Sequence, residues 1–350
     1  MTLTIRRLSA RRLDTPEELR SLLGADFTFS REQFAAITGP LEPGVIIAGA
    51  GSGKTAVMAA RVVWLVATGQ VLPGEVLGLT FTTKATNELG QRIRTSLRAA
   101  GLLPEPGTRG PDDEEPEEPT VATYHSYAAG LLTDYGLRIG HEPDTRLVAD
   151  ASRYQLAARA ISRYARPIVH LTDHPETAIK NLLALDAAMT EHLVGPAEVR
   201  RYDAAQRPLF VAGMVGETRK TYRECNEKAI SAIDRRADLL DLIEAYRTLK
   251  ADLGLMDFAD QIALAARLAR DCPEAGTAER ARFRVVLLDE YQDTSVAQAL
   301  MLRRLFSGSD VDTGFGHPVT AVGDPNQAIY GWRGASVSNI LHFDREFPGP

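Results

Sequence analysis

The chain has 350 residues, of which 44% are hydrophobic and 25% charged, with a net charge of −6. That length exceeds one typical core, so two domains are expected, one inserted in the other. Two distant cysteines, Cys225 and Cys272, exclude a disulfide framework and a cysteine zinc site and point to a reducing cytoplasm; no apolar run reaches membrane-spanning length.

From the N-terminus, residues 1–26 read as an extension. Its start, "MTLTIRRLSARRLD", is basic but has neither an apolar stretch nor a small-residue cleavage site, so no signal peptide is expected. Five short apolar runs then read as strands: Val45–Ala48, Val76–Phe81, Thr120–Tyr124, Val285–Leu288 and Val319–Val322. Near-continuous apolarity predicts strands buried on both faces of a parallel sheet. Helical patterns over Thr55–Val66 and Lys84–Ala99 follow the first two strands, which predicts α/β layering. Between strands two and three lies "PDDEEPEEP", Pro111 to Pro119, whose six acids equal the whole net charge. A Pro-broken run of like charges is a solvated loop, so the acidic balance says little about the rest of the surface. Residues 129–250 carry almost no strand signal and predict helices broken at Pro143, Pro167, Pro175, Pro196 and Pro208. The chain returns through "LGLMDFADQIALAARLARD", where Leu255, Phe258, Ile262, Ala265 and Ala269 fall at helical spacing against a core.

The stretch "VIIAGAGSGKT" carries the first chemistry. Glycines at 49, 51 and 53 let successive backbone N–H groups face phosphates, and a helix N-terminus follows. Ala50, Gly51, Ser52 and Gly53 form the wrapping loop, Lys54 reaches the outer phosphates, and the Thr55 hydroxyl takes Mg²⁺. The generic signature has Gly where this chain has Ala48, a position expected at the strand end, where a small residue suffices. An acidic strand tip is present in "RVVLLDEYQDT": Asp289 is placed to hold Mg²⁺ and Glu290 to polarise a water. A third element, "VGDPNQAIYGWRGA", packs Gln327, Tyr330, Trp332 and Arg333 into seven residues after a strand. An amide there suits γ-phosphate sensing, and exposed aromatics stack on single-strand bases for about 1–3 kcal/mol each. On residue type alone, Trp332 reads equally well as a core aromatic.

"AGAGSGKT", "LTFTTKATNEL", "VATYHSYA", "LLDEYQDTS" and "AVGDPNQAIYGWRGA" resemble motifs I, Ia, Ib, II and III of superfamily 1A DNA helicases, the UvrD/Rep/PcrA family. "DEYQDTS" and "GDPNQAIYGWRGAS" are also similar to the AdnB-type motor subunit of actinobacterial helicase–nucleases. The match runs in order from about Phe27 to Phe343 and skips the helical middle. The resemblance implies a RecA-like P-loop domain with a parallel sheet over 27–128 and 251–350, interrupted by a mostly helical inserted domain over 129–250. It implies ATP and Mg²⁺ as ligands, and single-stranded or 3′-tailed duplex DNA as partner, with a second helicase–nuclease subunit as a further candidate. Gln33 falls where the family reads adenine. Lys54, Glu290 and Gln327 are the implied catalytic set, and Thr55 and Asp289 the metal set. Thr80, Phe81, Thr82, Lys84, Thr123, His125, Tyr330, Trp332 and Arg333 are the implied DNA contacts; Asp257 and Phe258 read as structural.

The departures are Thr83 where relatives commonly have Asn and Ala56 where many have Arg. Motifs IV to VI, the second RecA-like domain, the arginine fingers and a nuclease domain are not in the 350 residues. Two alternatives therefore stand beside the helicase reading: a nucleotide-dependent binding module that never unwinds, and a non-functional gene fragment.

Overall fold

The computed structural model describes residues 11–104, 117–142, 144–172, 174–331 and 334–350. Trp332, Arg333, Pro143 and residues 111–116 of the acidic run lie outside the described residues. By contact the chain divides into two compact units: Met1–Ile139 with Ala265–Thr294 and Gln298–Pro350, and Gly140–Leu264 with Ser295–Ala297.

The first unit is a mixed α/β layer structure on a parallel sheet, the expected class. It opens with α1 (Pro16–Leu23), started by a capping box between Thr15 and Glu18. Leu19 is fully buried and the Arg11 amide donates to Ala67 O at 2.9 Å, so this largely exposed segment is anchored on the first unit. Helix α2 (Arg31–Ile37) has a second capping box, Ser30 with Gln33. Then follow β1 (Gly44–Ile47), α3 (Lys54–Ala67), β2 (Val76–Thr80), α4 (Thr83–Ala99), β3 (Thr120–Thr123) and α5 (Tyr124–Tyr135).

Sheet order is β1-β7-β6-β2-β3, all parallel, where β6 is Val285–Leu288 and β7 is Val319–Gly323. The three central strands are buried at every residue. The two edge strands are not: Val45 and Ile47 are 41% and 60% exposed. Burial on both faces, expected of all five runs, thus holds only for the central strands, because an edge strand lacks a neighbour on one side. Helices α3 and α4 pack Val62, Val63, Leu65, Leu89, Ile93 and Leu97 with Val76, Val285, Leu287 and Val322. Strands β1 and β2, consecutive in the chain, are separated by β7 and β6. The C-terminal ends of β1, β7 and β6 therefore form one row, the place where open α/β sheets hold ligands.

In the second unit come β4 (Arg146–Leu147), α6 (Asp150–Arg163), α7 (Pro175–Glu191), α8 (Pro196–Ala212), the 33-residue α9 (Lys220–Asp252) and β5 (Leu255–Met256). Pro175 and Pro196 start helices, where a missing N–H costs nothing. Pro208 does not break the chain but lies inside α8. It and Ala204 are both exposed, so the carbonyl that loses its partner faces water. The short parallel β4–β5 pair accompanies the helices of a unit expected to be mostly helical. The core gathers Leu156, Ile179, Leu182, Leu240, Ile243 and Tyr246.

By contact this unit begins at Gly140, later than residue 129, since α5 belongs to the sheet-containing unit: Tyr124 and Tyr127 are buried there, and Tyr127 Oη donates to Glu279 Oε2 at 2.7 Å. Helix α10 (Phe258–Asp271) buries Ile262, Ala265 and Ala269 at the expected spacing. Leu255 belongs instead to β5, and Phe258 is half exposed. Helix α11 (Pro273–Arg282) leads into β6, and α12 (Val296–Phe306) into β7.

Candidate active site

The glycine loop joins β1 to α3. The Ala48 amide donates to Gly323 O at 3.1 Å, which makes Ala48 the last sheet-bonded residue and places it before the loop. Gly51 (φ 73°) and Gly53 (φ 82°) occupy the left-handed region, which glycine alone enters without a steric cost. Ser52 closes the turn, its amide and hydroxyl both donating to Gly49 O at 3.3 and 2.7 Å. Ala50 is exposed on the loop and Thr55 half-buried on the first helical turn. Helix α3 has no side-chain cap, so its first-turn amides suit an anion.

The loop is tied from behind. Arg61 of α3 is 3% exposed and donates to the carbonyls of Ile37, Gly39 and Pro40 at 3.0, 2.9 and 2.8 Å. It serves the C-terminal carbonyls of α2, and burial pushes its guanidinium down to about 10. This fixes α2, and with it Gln33. The Gln33 amide is committed at both ends: Oε1 accepts from Ser30 N at 2.8 Å and Nε2 donates to Ser52 O at 2.9 Å. A bidentate contact to adenine would require it to leave both.

Opposite the loop, β6 ends in Asp289 and Glu290. Glu290 has φ 48°, a left-handed backbone that is uncommon for a side-chain-bearing residue and turns the chain sharply at the strand tip. Lys54 Nζ lies 3.2 Å from Glu290 Oε2. Asp289 is 7% exposed, and its carboxyl is pushed up to about 6 by burial and then by the charge of Glu290; the Glu290 N–H, donating to Oδ1 at 3.1 Å, and then Lys54 oppose this without overcoming it. The site is short of positive charge, and a divalent cation would supply it. The donor set agrees with that: Thr55 and Asp289 offer a hydroxyl and a carboxylate. No cluster of three or more His, Cys, Asp or Glu ligands exists among the described residues, so a cation here would draw its other oxygens from phosphate and water.

Gln327 stands in the turn after β7. Its amide nitrogen donates to the Asp324 carboxylate and its backbone N–H to Asp324 O at 2.9 Å. Four residues that sequence reasoning left without a role join the two strand tips. Gln292 Nε2 donates to Glu290 Oε2 at 2.7 Å while its Oε1 accepts the Asp324 N–H at 3.0 Å. Asp293 Oδ1 accepts the amides of Ile329 and Tyr330 at 3.1 and 3.3 Å. Gly323 makes room for this crossing. The "YQDT" stretch was the available signal, but nothing in its spacing reveals partners some thirty residues away.

Of the expected DNA contacts, Thr80 is corrected: it is fully buried, with its hydroxyl 2.6 Å from that of Thr86. It ties β2 to α4 and presents no surface. Thr82 and Thr123 cap α4 and α5, accepting from Ala85 N and Ser126 N at 3.1 and 3.0 Å. Lys84 is 85% exposed, its ammonium 3.8 Å from Glu88. His125 is half-buried. Phe81 lies between two rings, Tyr124 at 4.8 Å and Tyr330 stacked at 6.4 Å. The structure thus brings Phe81 and Tyr330 together from separate motifs.

No helix among the described residues is long and apolar enough to cross a membrane. The family model described as UvrD/REP helicase N-terminal domain matches residues 29–348. The ATP-dependent DNA helicase PcrA of Leuconostoc citreum is 29% identical over 91% of this chain and 35% of its own length. DNA helicase II of Escherichia coli K12 is 28% identical over 91% and 36%, and a probable DNA helicase II homolog of Rickettsia felis 26% over 92% and 41%. The chain therefore spans between about a third and two fifths of these curated relatives. With a phosphate-loop cradle facing an acidic strand tip and a family match over nearly its whole length, the chain belongs to the UvrD/REP helicase N-terminal domain family.

Proposed function

We propose that this chain is the ATP-binding, DNA-gripping motor half of a 3′–5′ DNA helicase. The observation that carries the reading is the meeting of Lys54 with Glu290, at 3.2 Å, between the glycine loop and the acidic strand tip. The loop amides of Ala50 to Gly53 cradle phosphates, and Lys54 turns from Glu290 to the outer phosphates. Thr55 and Asp289 would hold Mg²⁺, which when bound would supply neutralising charge to the phosphate oxygens. Glu290 takes up the proton of the attacking water. Gln327 exchanges Asp324 for the γ-phosphate, and Gln33 exchanges its loop contacts for adenine.

Phe81, Thr82, Lys84, Thr123, His125 and Tyr330, with Trp332 and Arg333, form the single-strand path; Thr80 is left out of it. A 3′-tailed duplex is the substrate class, in DNA repair or recombination. The "DEYQDTS" likeness makes a second helicase–nuclease subunit a partner to look for.

Two measurements on the full polypeptide test this. Glu290→Gln should keep nucleotide binding and lose DNA-stimulated ATP turnover; surviving turnover would remove Glu290 as the base. Trp332→Ala should weaken single-strand binding more than ATP binding, and the reverse result would return Trp332 to the core.

A further inference from the structure

Gln292 lies in the turn after β6 and is 1% exposed. Its side-chain amide spans two elements. Nε2 donates to Glu290 Oε2 at 2.7 Å, with a longer contact of 3.3 Å to Asp293 Oδ2, and Oε1 accepts the buried Asp324 N–H at 3.0 Å. The direction of the amide is set by chemistry, since an ionised carboxylate only accepts and a backbone N–H only donates. A second, independent observation is the residue that ends β7. A Cβ on Gly323 would sit 2.1 Å from Gln292 Oε1 and 2.9 Å from Ile340 Cδ1, so a side chain there would force the Gln292 amide out of its place. Gly323 does not have a positive φ, so its backbone makes no demand for glycine. The demand comes chiefly from Gln292, the nearer of the two side chains packed there.

We infer that Gln292 is a positioning residue that locks the Glu290 carboxylate to the end of β7, so that the base and the Asp324–Gln327 turn keep one register. This rests on the hydrolytic reading of Glu290. The bonds form one chain: Glu290 to Gln292, Gln292 to the Asp324 amide, and the Asp324 carboxylate to Gln327. Glu290 Oε2 receives both Lys54 and Gln292. When Lys54 turns to a phosphate, the Gln292 bond is what keeps the carboxylate from following it. A shift in the Asp324–Gln327 turn reaches Glu290 through the same amide.

The test uses Gln292→Met, which keeps the length of the side chain and removes both bonds. Amide hydrogen exchange reads the tie without any turnover: Asp324 N–H should exchange at least about tenfold faster while Val322 stays protected. In the full polypeptide with single-stranded DNA, kcat for ATP should fall about 10- to 100-fold with nucleotide affinity within about threefold, the cost of a misplaced base. Gly323→Ala should give the same split, and Gln292→Ala with Gly323→Ala should cost less than the sum of the two single losses, since only the Ile340 contact then remains at 323. An unchanged Asp324 exchange rate, an unchanged kcat in Gln292→Met, or additive losses in the double variant would overturn the assignment. Glu290→Gln run in parallel separates the two claims. If it abolishes turnover while Gln292→Met does not, only the positioning role falls; if it keeps turnover, the base assignment falls and takes the positioning role with it.

Discussion

Each unit holds a cluster of charges, and the two clusters balance their charge differently. In the helical unit Lys250 lies 2.6, 3.2 and 3.9 Å from Asp260, Asp257 and Asp186. Arg153 stands 3.1 Å from Asp257, and Arg247 2.6 Å from Asp186. Three cations meet three carboxylates. Burial works to raise the Asp257 carboxyl, but Lys250 and Arg153 overcome it and hold it below its ordinary value, whereas at Asp260 burial, joined by the charge of Asp257, prevails over Lys250 and the carboxyl is raised. Burial likewise works against the Lys250 ammonium, and its three aspartates overcome that as well. In the sheet unit, Lys54 is the one cation paired with Glu290 among the described residues, the burial of Asp289 is not overcome, and its carboxyl is driven up to about 6. A buried cluster that closes its own charge is architecture. One left open on the positive side is a place for something else to bind.

This contrast can be broken at several points. The largest effect should come from the open cluster: Glu290→Gln should lower ATP turnover about 10²- to 10⁴-fold in the full polypeptide while leaving its thermal midpoint near wild type. Next comes the closed cluster. Lys250→Met leaves Asp186, Asp257 and Asp260 short of a cation and should destabilise the helical unit by about 3–5 kcal/mol in denaturant unfolding. A smaller loss there would mean that the closed cluster is wet. Arg61→Met strips the carbonyls at the end of α2 of their donor and should cost about 3 kcal/mol.

The pH dependence of Asp289 follows. Its folded value of about 6 lies above the ordinary 3.8, so the proton is bound more tightly in the folded chain. The stability it lends is complete below 3.8 and is lost as the pH climbs through 6. Between those limits the wild type should lose up to about 3 kcal/mol that Asp289→Asn does not lose, in unfolding measured across the range. The smallest effect is Lys84→Ala. Its exposed pair with Glu88 at 3.8 Å should be worth under about 0.5 kcal/mol of stability, so a drop in single-strand affinity would be separable from folding.

The local parts of the site were legible because their physics is local. Three alternating glycines, a Lys-Thr pair and an Asp-Glu pair after apolar runs specify a loop, a helix start and a strand tip within a dozen residues. What was not legible depends on partners far along the chain. Val45 and Ile47 look like central-strand residues, and only the strand order makes β1 an edge. Thr80 looks like a surface contact until Thr86 takes its hydroxyl. Gln292 and Asp324 meet across 32 positions, and Arg61 reaches carbonyls at least 21 positions back. Pro208 reads as a breaker by type, and only its exposed position lets α8 carry it.

Gly323 also has a consequence for how such sequences change. With Gln292 bonded to the Asp324 N–H, a methyl group at 323 would overlap the amide oxygen and displace it, and would crowd Ile340 as well. With a shorter residue at 292 that oxygen is gone. Change at 323 is therefore easier after 292 has shortened than before it. Sequences that drift away from this chain should pass through a short residue at 292 before any side chain is found at 323, and a lineage that kept the glutamine should keep the glycine with it.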